Sequence, residues 1–220
     1  MKWIYLAAGV ALFIKMLVFP NATMPLDDLS IVEAVVRESG VPNAVSGIIF
    51  RNRLYDTIFE VVVFTLAIMG ARFLLANEKP SCTVYQFTDP PSIVLARLGA
   101  TIAALVSVEL AIRGHLSPGG GFAAGVAGGT AIGLVAITSS PQWMEGLYQR
   151  WKAAIWEKIS VVIFIVLAAV VLLGLELPHG KVGTLASGGW IPLLNILVAI
   201  KVALGSWAAI LVFIRYRGLL

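Results

Sequence analysis

Residues 191–214, IPLLNILVAIKVALGSWAAILVFI, carry one charge, Lys201, in an otherwise apolar run. At about 1.5 Å rise per residue, such a run as a helix crosses the ~30 Å hydrocarbon core of a bilayer. A lysine in its middle costs a few kcal/mol to insert, so its side chain needs a carboxylate, a wet cavity or a neutral form. Working outward, five further runs of the same kind occupy residues 3–19, 57–77, 93–113, 121–140 and 156–177. The expected fold class is therefore all-α, a polytopic integral membrane protein with about six transmembrane helices. The composition agrees, with 59% hydrophobic and only 13% charged residues in 220; a soluble domain of that length needs far more polar surface.

Loop signals bound the spans. Pro20-Asn21 follows the first and Asn77-Glu78-Lys79-Pro80 the second; Asp89-Pro90-Pro91-Ser92 precedes the third, with Ser92 expected as its N-cap. Ser139-Ser140-Pro141 closes the fourth and Leu177-Pro178-His179-Gly180 the fifth. The first run is also open to a signal-peptide reading, but Lys15 interrupts it and Phe19-Pro20-Asn21 offers no small-residue cleavage site, so it is read as a retained span. Between the first two spans, Leu26, Leu29, Val32 and Val36 oppose Asp27, Asp28, Glu33 and Arg37, the pattern of an amphipathic helix lying on the membrane surface or on a partner. Ile48-Ile49-Phe50 reads as a short buried turn. Counting Lys and Arg on the two sides places both termini in the cytoplasm. A composition seam near residues 78–92 divides the chain into a two-span module, 1–78, and a four-span module, 93–220.

The net charge of +4 is scattered, with no basic stripe of the kind that holds nucleic acid. Cys82 is the single cysteine, which excludes an internal disulfide. His115 and His179 stand in separate loops without metal-ligand spacing. With no haem-type His pair, CxxC or nucleotide loop, neither a cofactor nor an enzymatic activity of its own is expected in this chain.

Few residues remain to carry chemistry. Lys201 reads equally as a proton-relay group and as an anchor to an acidic residue of a neighbouring protein chain. Asp56 and Glu60 share a helix face with Arg53 at the mouth of the second span; Glu60 is read as an entry site for a proton or Na⁺, Asp56 as the ion-pair partner of Arg53. Glu109 and Arg113 are spaced as a helical pair, while Lys15, Arg72, Arg97 and Lys158 sit near span ends and can snorkel. Gly121, Gly125, Gly129 and Gly133 form a small-residue row along the fourth span, a close-packing signal. The loop Gly114-His115-Leu116-Ser117-Pro118-Gly119-Gly120-Gly121 joins the third and fourth spans. Its His115 titrates near neutral pH if accessible, or is held to backbone in a re-entrant turn. The absence of a Gly-Lys-Ser/Thr ending rules out a phosphate-binding P-loop.

The string GHLSPGGGF at 114–122, with the glycine-rich span after it, resembles the B subunit of Mrp/Mnh multisubunit Na⁺/H⁺ antiporters; IPLLNILVAIKVALG at 191–205 is similar to that family's last span. The resemblance covers residues of about 90–220. The front part, NAVSGIIFRNRLYDTIFEVVVFTLAIMGA, resembles the C-terminal hairpin of the large A-type chain of those antiporters, which also occurs as a separate small subunit in membrane-bound hydrogenase and sulfane-reductase complexes; Phe59 stands where a glycine is usual. The resemblance implies a non-catalytic membrane subunit that helps build a Na⁺ or proton path, with Glu60 carried over as its membrane glutamate. Other antiporter-like membrane subunits and the lipid bilayer are the implied partners. Peripheral hydrogenase-like or iron–sulfur subunits join them in the alternative of a redox-driven complex in the cell membrane.

Overall fold

A computed structural model describes residues 28–80, 84 and 86–217. The expected span 3–19 and Cys82 lie outside these residues. The chain divides into two units, Met1–Ala34 and Val35–Leu220. Secondary structure among the described residues is entirely helical. Helix α1 is Asp28–Ser39, in the place of the expected amphipathic helix; Leu26 and Asp27 fall outside the description.

Within the second unit, α2, Ala44–Gly47, runs directly into a π-helical turn, Ile48–Asn52. The Asn43 side chain caps α2 by accepting from the amides of Val45 and Ser46. Phe50 is buried in this turn, as the apolar Ile48-Ile49-Phe50 run suggests. The spans follow as α3 (Leu54–Leu75), α4 (Pro90–Arg113), α5 (Gly121–Ala136), α7 (Ala153–Leu172) and α8 (Ile191–Arg217), with α6 (Pro141–Arg150) between α5 and α7. Four of them, α3, α4, α7 and α8, are long and apolar enough to cross a membrane; α5, with 16 residues, is shorter. At 1.5 Å per residue α5 extends only about 24 Å.

Several boundaries differ from the sequence expectation. Helix α4 starts at Pro90, capped by Asp89, whose carboxylate accepts from the Ser92 amide at 3.0 Å. Ser92 sits inside the first turn because proline is tolerated there, where its missing N–H has no partner to lose. The hydrogen bonds from Ser92 hold the Asp89 carboxyl below its ordinary range. Helix α5 stops at Ala136 instead of 140, and Ser140 caps a new helix by accepting from the Trp143 amide at 3.3 Å. Helix α7 spans Ala153–Leu172 rather than 156–177: Lys152, in the left-handed region at φ 50°, turns the chain into it, and Gly174 at φ 80° follows its end.

Helix α8 is the axis of the unit, with half of its membrane window buried against 11–17% for α3, α4 and α7. One core layer joins Phe50, Leu54 and Val61 to Phe164 on α7 and to Leu194, Val198 and Val202 on α8. A second layer joins Ile68 and Ala136 to Met144 and Tyr148 of α6 and to Trp207 and Ile214. The remaining faces of α3, α4 and α7 expose large apolar side chains such as Phe73, Leu95 and Ile163, as expected of surfaces facing lipid or neighbouring helices rather than water.

Candidate functional site

Lys201 is fully buried on α8, and its ammonium lies 2.5 Å from the Glu157 carboxylate of α7. Glu157 is one helical turn inside α7, on a stripe of Ala153, Ser160, Phe164 and Ala168 that faces inward between exposed Val, Ile and Leu. The Phe64 ring of α3 completes the enclosure, its centroid 4.9 Å from the Lys201 Nζ. Gly205, one turn further along α8, leaves room for both: a Cβ there would come within 2.7 Å of Phe64 Cε1 and 3.2 Å of the Lys201 Nζ. An ammonium and a carboxylate this close form a charge-assisted hydrogen bond, and each lowers the cost of burying the other.

Glu60 stands on the exposed side of α3, one turn before Phe64. It lines a cavity of about 200 Å³ together with Asn43, Ser46, Thr57, Phe122 and the backbone of Gly119–Gly121. Thr57, within this wall, donates to the Ile49 carbonyl at 3.0 Å and so ties α3 to the π-helical turn. Phe122 meets Phe64 edge to face at 5.9 Å. Phe122 in the cavity wall and Phe64 over Lys201 thus connect the cavity to the buried ion pair. Asp56 pairs with Arg53 at 2.5 Å and does not take part in the cavity wall.

The wall of that cavity depends on two loops that meet across more than 70 residues of sequence. The Asn43 amide donates to the carbonyls of Gly114 and Ser117, at 2.8 Å each, and the Ser46 hydroxyl donates to the Gly114 carbonyl at 2.7 Å. From α8, the Asn195 amide donates to the carbonyls of Leu110 and Ala111 at 3.1 and 2.7 Å. The carbonyls left open at the end of α4 are satisfied in this way. Gly114 is needed for close approach, since a Cβ would lie 2.6 Å from the Leu110 carbonyl and 2.7 Å from the Asn195 amide. Gly119 and Gly120, at φ 141° and 90°, supply the backbone turn into α5.

His115 is fully buried beneath this clasp, and among the described residues neither ring nitrogen has a hydrogen-bond partner. No hydrogen bond to backbone closes on the ring; the backbone of Thr184 and Leu185 lies near it without making one. Burial pushes the imidazole below its ordinary value of 6.5, and the backbone of Thr184 and Leu185 offsets part of this.

The glycine row lies against α8 of the same chain. Gly121 meets the backbone of Asn195, Gly125 meets Val202 and the Ala199 carbonyl, and Gly129 meets Ser206, each closer than a Cβ allows; Gly133 is looser, with Ile210 at 3.6 Å from a built Cβ. Glu109 and Arg113 pair at 3.1 Å on the exposed face of α4.

Sequence reasoning missed Glu157, Phe64, Asn43 and Ser46. The inward stripe of small and polar residues on α7 is the one local signal that marks Glu157; nothing local marks the clasp.

Together the fold and these buried groups define a polytopic helical membrane protein with charge inside its bundle. A family model described as a domain related to the MnhB subunit of Na⁺/H⁺ antiporter matches residues 91–208, over half of the chain, and the chain belongs to that family. The B-type resemblance drawn from GHLSPGGGF coincides with this segment. A probable K⁺/H⁺ antiporter A/B subunit of Rhizobium meliloti (strain 1021) is 24% identical over 169 residues, 64% of this chain. The aligned segment spans only 17% of that relative's length. A chain of the membrane-bound sulfane sulfur reductase, an archaeal respiratory membrane complex, shares the fold with a TM-score of 0.67 and 24% identity, covering 97% of this chain and 96% of that one. A chain of the Mrp complex from Dietzia sp. DQ12-45-1b matches with a TM-score of 0.61 and 19% identity, covering 94% of this chain and 24% of that one.

Proposed function

We propose that this chain is a membrane subunit of a multisubunit cation/proton antiporter or antiporter-like module, and that its interior contributes to the ion path. The observation that carries this reading is the Lys201–Glu157 pair, enclosed among apolar helices within the segment that matches the antiporter family. Ionisable groups inside a membrane bundle are expensive and mark proton or ion routes by default. In this reading Glu60 and its cavity collect the cation or proton, Lys201 and Glu157 respond to its charge by way of Phe64 and Phe122, and His115 belongs to the loop that walls the cavity. The two-span and four-span modules, 1–78 and 93–220, each supply part of this set. The subunit lies in the cell membrane with its termini on the cytoplasmic side, as its distribution of Lys and Arg supports.

One observation favours a second host for the same role. The likeness to the sulfane sulfur reductase chain runs along nearly the whole of both chains, which suits a membrane subunit of a redox-driven ion-pumping complex with peripheral hydrogenase-like or iron–sulfur subunits. Gentle detergent purification of the tagged chain from its own host, with mass spectrometry of what accompanies it, separates the two. Antiporter-type membrane subunits alone support the first host, and additional iron–sulfur subunits the second. A chain that purifies alone and still transports contradicts the subunit reading.

A further inference from the structure

A second cavity, lined by none of the groups invoked above for the ion path, lies between α4 and α5 where the shorter α5 ends. Its volume is about 1030 Å³, the size of a ligand site, and its wall is built from Ala100, Ala104, Ala131, Ile132 and Val135. At its mouth stand Arg97 and the indoles of Trp143 and Trp151. Both tryptophans are more than half exposed. They sit at the two ends of the amphipathic α6, the position of an aromatic belt at the membrane–water interface.

Arg97 makes no ion pair or side-chain hydrogen bond among the described residues. It stands two turns into α4, exposed at the cavity mouth beside the interfacial tryptophans. Arg150 and Lys152 flank Trp151 in sequence, while Glu145 on α6 pairs with Arg215 at 3.7 Å and the Asp89 carboxylate caps α4, so neither carboxylate is an ion-pair partner of Arg97. A basic mouth above an apolar trough between membrane helices is the arrangement that holds an anionic lipid headgroup with its acyl chain. We infer that this groove binds one anionic phospholipid, the phosphate at Arg97 and an acyl chain along Ala100, Ala104 and Ala131. The inference rests on membrane location alone and stands whether or not the chain conducts ions.

The test is native mass spectrometry of the full chain, with any proteins that stay bound, titrated with dioleoyl phosphatidylglycerol or with dioleoyl phosphatidylcholine, which has the same tails. The wild type is expected to prefer phosphatidylglycerol by about fivefold or more. Arg97→Gln abolishes that preference while phosphatidylcholine still binds, Arg97→Lys keeps most of it, and Ala104→Phe, which fills the trough, weakens both lipids. Equal binding of the two lipids by the wild type, or a preference that survives Arg97→Gln, overturns the site. Loss of a co-purifying protein from Arg97→Gln with lipid binding unchanged overturns it too, because the anion is then a partner's carboxylate.

Discussion

Lys201 on α8 and Glu157 on α7 close a buried ion pair at 2.5 Å across 44 residues of sequence. Its geometry makes the pair interdependent: each charge is tolerable only because the other is present. Removing one partner, by Lys201→Met or Glu157→Gln, is therefore expected to destabilise the chain by about 3–5 kcal/mol. A thermal unfolding series in detergent checks this; a shift no larger than that of an exposed substitution contradicts the enclosure of the pair.

Glu60 and Asp56 are one turn apart yet differ in surroundings. Glu60→Gln is expected to lower cation/proton exchange in everted vesicles at least tenfold while the complex stays assembled, since the carboxylate lines the cavity and pairs with no cation among the described residues. Asp56→Asn loses only a solvent-accessible pair with Arg53, worth about 1 kcal/mol or less. Disassembly in Glu60→Gln instead points to a scaffold role for this glutamate.

The glycine row makes a graded prediction. Gly125→Ala forces its Cβ into Val202 and the Ala199 carbonyl, an overpacking expected to cost about 1–3 kcal/mol, and Gly125→Leu abolishes assembly. Gly133→Ala meets only ordinary contact with Ile210 and gains up to about 1 kcal/mol of helix propensity. Yield of intact chain on a native gel, compared across the variants, checks the order.

His115 makes stability depend on pH with a definite sign. Its folded value lies below the unfolded 6.5, so the unfolded chain binds the extra proton. Its contribution is complete above 6.5 and is lost as pH falls through the depressed folded value, with a slope of at most about 1.4 kcal/mol per pH unit. His115→Leu is expected to flatten this part of the acid limb relative to the wild type. An unchanged acid limb means that His115 does not titrate on unfolding.

Much of the fold is legible because the bilayer imposes a strong pattern: uninterrupted apolar runs bounded by Pro, Gly and Asn locate α3, α4, α5, α7 and α8 to within about a turn. Lys201 is legible for the same reason, as the single charge in its run. Glu157 is not, because it adjoins Lys158 and the expected start at residue 156 makes both look like span-end charges; the start at Ala153 carries Glu157 one turn deeper. Helix α6 is hidden by its polar composition and by Pro141, which reads as a terminator but serves as a first-turn residue. The joining of Asn43 to Gly114 and Ser117 is a tertiary relationship with no local trace. Each string is distinctive alone, and only the folded bundle makes them one site.

The ion-path role of the buried pair is tested most directly by Lys201→Met combined with Glu157→Leu, measured for cation/proton exchange in everted vesicles that contain the assembled complex. Replacing a buried ion pair by apolar side chains of similar size is often neutral or stabilising, so the double variant is expected to recover the assembly that either single change impairs. That role predicts exchange at least tenfold below wild type in that assembled complex. Exchange that returns to the wild-type rate along with assembly contradicts it, and leaves Lys201 and Glu157 as a structural tie between α7 and α8.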